Sequence, residues 1–199
     1  SIIISYLSPF TGSYRNVQID DWKKMIIEQN IDISPDYSLE KIMSDPVQIR
    51  EWNIATLPSD TVSIQNGIML QNNPKQPLMI DPQLQANTWL KRLLKKDGLK
   101  VYKAEAKEDV YKKQIESIQT DMIRGTPVLL ENVTETIDSI FNPIMSNSYY
   151  EEDGITYIDF NMPKSQYNKA FRMFFTTKYA NPHYPPEYFI KLNIVNFTV

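Results

Sequence analysis

An eight-residue segment in the middle of the chain has the length and part of the chemistry of a phosphate-binding loop. In the pattern G-x-x-x-x-G-K-[ST], the glycines let backbone N–H groups wrap the phosphates, the lysine neutralises the β- and γ-phosphates, and the hydroxyl holds Mg²⁺. The segment follows a short apolar run and precedes a helix-competent stretch. It consists of Asp81, Pro82, Gln83, Leu84, Gln85, Ala86, Asn87 and Thr88. Only Thr88 matches the pattern.

Three departures from the pattern weaken phosphate binding. Asp81 adds an anion near the place where phosphates would lie, and Ala86 carries a Cβ where the loop favours a positive φ. Asn87 is uncharged, and a lost charge-assisted contact costs roughly 1.5–3 kcal/mol. We therefore expect very weak ATP binding. Taken alone, the segment is better explained as an ordinary turn between a strand and a helix.

Two other polar positions follow apolar runs that read as strands. Glu131 could hold Mg²⁺, but Asn132 cannot accept a proton from an attacking water, so hydrolysis lacks its base. Asn181 could orient such a water, and His183 follows it closely. The alternatives are a buried strand that ends in a polar loop and, around Asn181, a turn rich in proline and tyrosine.

Composition excludes several classes of function. The 199 residues are 42% hydrophobic and 23% charged, and no apolar run is long enough to span a membrane. A net charge of −3 argues against nucleic acid and anionic membrane as partners. With no cysteine and one histidine, disulfides, thiolate sites and His-rich metal sites are excluded. The lysine-rich run from Lys91 to Lys100 favours a solvated face. The start lacks a basic region typical of a signal peptide, and it suggests a piece of a longer chain.

From residue 77 onward, short apolar runs alternate with helix-length segments, which predicts an α/β core with a parallel sheet. The expected strands are Leu78–Ile80, Leu99–Ala104, Pro127–Glu131, Phe171–Thr177 and Leu192–Thr198. The expected helices are Gln85–Lys96, Val110–Arg124 and Ile137–Met145, the last broken or bent at Pro143. Alternation predicts a β-hairpin inserted at about residues 154–168.

Residues 1–76 are expected to form a helical or linker region that leads into the core at 77–199. An amphipathic helix is predicted behind Asp20-Asp21, after a break at Thr11-Gly12-Ser13. A short helix is expected at Ser38–Met43. Thr61–Leu70 favours either a helix or an extended arm.

With its motifs in order, the chain resembles the dynein heavy chain, specifically the fifth AAA+ module of its motor ring. The resemblance covers nearly the whole chain and rests on SYLSPFTGSYR, REWNIATLPSDTVSIQNGI, PLMIDPQLQANTWLK, TPVLLENV, FNPIM, FFTTKYANPHYPPE and VNFTV. TPVLLENV and TKYANPHYPPE are more similar to axonemal than to cytoplasmic heavy chains.

The resemblance implies a P-loop NTPase-like AAA+ large subdomain, with five parallel strands in the order 5-1-4-3-2 flanked by helices. It implies that Asp81–Thr88 correspond to the first nucleotide motif, Glu131 and Asn132 to the second, and Asn181 to the sensor asparagine. Both nucleotide motifs are degenerate, and no catalytic residue or metal ligand is expected. The sequence ends at the fifth strand, so the helical lid of such modules is expected to lie outside it.

The implied function is a non-catalytic ring module that relays conformational change between ATP-hydrolysing modules and the microtubule-binding stalk. Cofactors are not expected in this segment; ATP and Mg belong to other modules of a parent chain that would be a microtubule-stimulated ATPase. The implied partners are neighbouring modules, the stalk, microtubules, and intermediate and light chains, at the cytoskeleton in the axoneme of a cilium or flagellum. The alternatives are weak residual nucleotide binding through Thr88, Glu131 and Asn181, and a protein-interaction role for the hairpin.

Overall fold

The computed structural model describes residues 3–34, 37–105 and 107–198. A π-helical turn, Ile3–Leu7, begins the described chain, and a 3₁₀ turn covers Ser139–Phe141. The helices are α1 (Gly12–Glu28), α2 (Leu39–Met43), α3 (Pro46–Ile54), α4 (Thr61–Gln71), α5 (Gln85–Leu93), α6 (Glu108–Arg124), α7 (Asn142–Met145) and α8 (Pro186–Lys191). The strands are β1 (Pro77–Ile80), β2 (Lys100–Lys103), β3 (Val128–Glu131), β4 (Tyr150–Glu152), β5 (Ile155–Phe160), β6 (Met162–Gln166), β7 (Met173–Thr177) and β8 (Asn193–Asn196).

The central sheet confirms the predicted topology. Its five strands pair in parallel in the order β2-β3-β7-β1-β8. Numbered along the chain within this sheet and listed from the β8 edge, that order is 5-1-4-3-2. Strands β1, β3, β7 and β8 are buried along their whole length, which explains their near-continuous apolar sequences. Strand β2 lies at the edge and is largely exposed.

Alternate residues along the strands face two cores on opposite sides of the sheet. Leu78 packs with α6, α7 and the inserted sheet, whereas its neighbour Met79 packs with the N-terminal helices and α5. On the second side, the rings of Trp52 and Trp89 meet edge to face at 5.9 Å. Gly67 leaves room for this pair, because a Cβ there would lie 2.7 Å from the Trp52 ring. Helices therefore cover both faces of the sheet, as expected.

The N-terminal segment is fastened to the sheet by a buried arginine. The guanidinium of Arg15 is fully buried and donates to Leu7 O at 3.0 Å, Ser8 O at 2.8 Å and Asn66 Oδ1 at 2.7 Å. Asn66 in turn donates its Nδ2 to Asn196 O at 2.9 Å, at the end of β8. Burial lowers the pKa of Arg15 to about 10. One charged side chain thus joins α1, α4 and the segment before α1, and Asn66 extends the network to the sheet.

Two sequence-based expectations about helices were wrong. Helix α1 begins at Gly12, with Thr11 in extended conformation before it, so Thr11-Gly12-Ser13 starts the helix and Asp20-Asp21 lies within it. Small polar residues both break and begin helices, which makes the two outcomes hard to distinguish. Pro143 lies in the first turn of α7, where proline is tolerated, and therefore helps to begin that helix after a 3₁₀ turn. The ambiguous segment from Thr61 is helical and is capped by Asp60, whose carboxylate accepts the N–H of Ser63 at 3.0 Å.

The predicted insertion is a three-stranded antiparallel sheet in the order β4-β5-β6. Its first turn contains Asp153 and Gly154 with φ of 51° and 76°, the positive pair that a tight hairpin turn requires. Ile158 and Phe160 are fully buried in the core that contains α6 and α7. The insertion is therefore anchored in the main body of the fold. None of the helices in the described part of the chain is long and apolar enough to cross a bilayer.

Candidate functional site

The β1–α5 loop and the end of β3 meet at the carboxyl ends of the strands of the central sheet. The two strands are parallel and each adjoins β7, so their carboxyl ends lie on the same side. Asp81 follows β1, Glu131 ends β3, and Asn87 lies in the first turn of α5. The topology thus brings together the two segments that sequence reasoning singled out.

Asp81 is buried against the first turn of α5. Its side chain is 1% exposed, and its Oδ2 accepts the backbone N–H of Asn87 at 2.8 Å. Burial raises the pKa of Asp81, and hydrogen bonding from the backbone of Asn87, Ala86 and Gln85 opposes that rise. Oδ1 is buried and has no hydrogen-bond partner within residues 3–34, 37–105 and 107–198. The carboxylate therefore lies against the backbone amides at the start of α5.

Asn87 and Glu131 are bonded to each other. Asn87 Nδ2 donates to Glu131 Oε1 at 2.6 Å, and Lys91 Nζ lies 2.5 Å from the same oxygen. Burial would raise the pKa of Glu131, but the hydrogen bonds from Lys91 and Asn87 outweigh it, so the pKa is lowered. Sequence reasoning placed Lys91 on a solvated face and missed this contact. Its spacing of four residues from Asn87, which puts both on one face of α5, was the available signal.

The remaining loop residues have local roles. Leu84 takes the left-handed conformation with a φ of 59°, and Thr88 Oγ1 donates to its carbonyl at 2.7 Å. Pro82 is half-buried, Gln83 is exposed, and Gln85 begins α5. The hydroxyl of Thr88, which matched the sequence pattern, is therefore hydrogen-bonded at the start of its own helix.

Ala86 does not take the positive φ that the phosphate-loop pattern favours at this position. Ala86 lies inside α5 with its methyl group fully buried, and the left-handed residue of the loop is Leu84. The left-handed residue lies two positions earlier than the pattern would place it. Position 86 therefore has helical backbone, which accommodates a Cβ. Ala86 packs in the core shared by the N-terminal helices and α5.

The second part of the predicted site is more dispersed. Asn132 is half-buried, has a φ of 61°, and lines a cavity of about 260 Å³ beside β3. Asn181 is exposed and borders a separate surface depression with Glu135. Among the described residues, no hydrogen bond joins Asn181 to Asp81, Asn87 or Glu131. The sensor role of Asn181 stays a prediction.

Comparison with known proteins identifies the family. Residues 50–199 match the family described as the ATP-binding dynein motor region. The chain belongs to this dynein motor family. Human dynein axonemal heavy chain 1 is 38% identical over 196 residues, which cover 98% of this chain and 4% of the relative. Human dynein axonemal heavy chain 6 is 38% identical over 196 residues, 98% of this chain and 5% of the relative. The flagellar outer arm dynein alpha chain of Chlamydomonas reinhardtii is 37% identical over 197 residues, again 98% of this chain and 4% of the relative.

This dynein motor chain spans about a twentieth of the length of those curated relatives. Its parallel sheet with flanking helices is the expected architecture of an AAA+ domain, so the fold prediction is confirmed. The likeness to dynein heavy chains is confirmed as well. The position of this module within a motor ring and the roles of its individual residues stay predictions.

Proposed function

We propose that this chain is a non-catalytic AAA+ module of an axonemal dynein motor, the fifth in its ring. The observation that carries the proposal is that the residues of the two nucleotide motifs bind one another. Asp81 accepts the amide of Asn87, and Asn87 donates to Glu131, which also pairs with Lys91. A site whose groups are already paired internally has few left for a ligand.

The chemistry of these side chains does not suit ATP or Mg²⁺. The loop supplies a carboxylate where a triphosphate needs amides and a cation, and the nearest ammonium, that of Lys91, pairs with Glu131. A metal at Glu131 would have to displace that ammonium. Asn132 cannot act as a base. These features support a module that does not bind nucleotide tightly and does not hydrolyse it.

The proposed role is mechanical relay between ATP-hydrolysing modules and a microtubule-binding stalk. Close-packed interiors deform little, so a sheet covered on both faces transmits rigid-body shifts. The Arg15 network adds a hydrogen-bonded connection between the N-terminal segment and β8. The parent heavy chain would be an ATPase that works with microtubules, neighbouring modules, the stalk, and intermediate and light chains. The axonemal and flagellar names of its relatives support a location in the axoneme of a cilium or flagellum.

Calorimetry with Mg-ATP tests the absence of a working site. We expect no binding tighter than about 100 μM and no phosphate release above the buffer rate. Mg-ADP titrated under the same conditions is the matched measurement, because it lacks the γ-phosphate. Binding of either nucleotide below that threshold would establish the alternative, a residual nucleotide site.

The inserted sheet supports a second candidate, a protein-interaction surface. Ile155 of β5 is 42% exposed and Met162 of β6 is 54% exposed, whereas Ile158 and Phe160 anchor β5 in the core. Deletion of the sheet would remove the buried Ile158 and Phe160 and so damage the fold. The paired substitutions Ile155→Ser and Met162→Ser avoid this, and unchanged microtubule gliding by a whole motor carrying both would count against the candidate.

A further inference from the structure

The Asp81 carboxylate lies where the loop of an intact nucleotide site would hold a phosphate. We propose that Asp81 is a built-in anion that occupies this position, and that removing its side chain turns the loop into a binding site for a small anion such as inorganic phosphate. The inference rests on the proposed function, because it names the residue that keeps nucleotide out.

The reach of Asp81 distinguishes it from an ordinary helix cap. Asp45 and Asp60 cap α3 and α4 by accepting N–H groups two and three residues later, at 3.0 Å each, and both residues are exposed. Asp81 is buried and accepts the N–H of a residue six positions later. The capping position of α5 belongs to Leu84, which has no side-chain cap. Asp81 therefore spans the whole loop, as a bound anion would.

The buried carboxylate retains unused capacity for hydrogen bonding. Oδ1 of Asp81 is buried with no hydrogen-bond partner in the described parts of the chain, while Oδ2 is held by Asn87 N–H. Burial raises the pKa of Asp81, so the surroundings disfavour its charge in spite of the nearby amides. Exclusion of external anions is a function that accounts for a carboxylate at this buried position.

The charges around the loop fit a small anion better than a triphosphate. Position 87 is a neutral asparagine, and the ammonium of Lys91 lies 2.5 Å from a Glu131 oxygen. The amides alone are left to hold an anion. An emptied loop should accordingly bind phosphate with a dissociation constant of about 1–10 mM, the strength expected of a few hydrogen bonds without a counter-charge.

Titration of sodium phosphate at constant ionic strength, followed by amide NMR, tests the inference. In Asp81→Gly, the amide signals of Gln85, Ala86 and Asn87 should shift and saturate, whereas those of the wild-type chain should not move. Asp81→Asn is the matched control, because it keeps an acceptor oxygen in the same place and should remain blocked. Asp60→Gly removes a charge and a cap elsewhere and should also show no saturating shift at these amides.

The possible outcomes separate this inference from the proposed function. A folded Asp81→Gly whose loop amides do not shift at any phosphate concentration would overturn the inference alone. If that variant fails to fold, Asp81→Ala provides the same test without the added backbone freedom of glycine. Saturating shifts in Asp60→Gly would also overturn the inference, since they would show general anion binding. Tight Mg-ATP binding by the wild-type chain would instead overturn the proposed function.

Discussion

Arg15→Met should destabilise the fold, because the buried guanidinium donates to three acceptors and is the donor that satisfies Asn66 Oδ1. The acceptors are Leu7 O, Ser8 O and Asn66 Oδ1, at 2.7–3.0 Å. Methionine fills much of the same volume but donates no hydrogen bond. The substitution therefore tests the polar network with little change in packing.

The expected loss follows from two opposing terms. Leu7 O and Ser8 O also accept the backbone N–H groups of Phe10 and Asn196, so only Asn66 Oδ1 is left without a donor, and such a buried acceptor costs about 1–3 kcal/mol. Removal of a buried charge relieves its desolvation penalty, which is visible in the lowering of the Arg15 pKa to about 10. For one unsatisfied acceptor, two weakened carbonyl contacts and one relieved charge, we expect a net loss of about 1–3 kcal/mol in the free energy of unfolding.

Urea denaturation followed by far-ultraviolet circular dichroism measures this loss. Arg50→Met is the matched control, because Arg50 is exposed on α3, and we expect it to change stability by less than about 0.5 kcal/mol. A loss below about 1 kcal/mol for Arg15→Met would refute the reasoning, since the unsatisfied Asn66 oxygen and the lost contacts to the two carbonyls cannot together cost so little unless water replaces the guanidinium. In a whole motor, the same variant should reduce microtubule stimulation of ATPase activity more than basal turnover, if the network contributes to the relay.

Two further predictions concern the nucleotide motifs. Hydrogen bonds from Lys91 and Asn87 lower the pKa of Glu131 below 4.5, so its contribution to stability is present above that value and is lost as the pH falls through the lowered pKa. Glu131→Gln should thus be less stable than wild type near neutral pH, and denaturation curves should converge in acid; a gap that does not depend on pH would contradict this. The double change Ala86→Gly with Asn87→Lys should not create an ATPase, because Asn132 supplies no base, and measurable phosphate release from that variant would show otherwise.

The sequence was most informative about the central sheet. Strands such as Val128–Glu131 are buried on both faces, so their apolar residues are consecutive and mark them clearly. Strand β4, Tyr150–Glu152, was missed because all of its residues are exposed and it has no apolar alternation. The start of α1 was missed because glycine and serine also signal turns.

Contacts between distant segments of the chain limited how much of the candidate site could be predicted from the sequence. The sequence singled out the segments that contain Asp81, Asn87 and Glu131, and the parallel topology brings these residues together at the carboxyl ends of the strands. The pairing of Lys91 with Glu131 joins residues 40 positions apart on different elements. Only the tertiary arrangement determines which lysine of a basic run reaches a carboxylate.

The internal contacts of the loop bear on how such a module could take part in a motor cycle. Asp81 joins the end of β1 to α5, and Asn87 and Lys91 join α5 to Glu131 at the end of β3. In an intact site, bound nucleotide connects these same elements, and its loss allows them to move. Here hydrogen bonds and an ion pair between side chains of the protein itself make the connections, so they form without a bound nucleotide. A ligand shifts a conformational equilibrium only by its differential affinity for the two states. If this module binds no nucleotide, as we propose, ATP cannot act on it directly, and any movement that it relays enters through its surfaces, from neighbouring parts of the heavy chain.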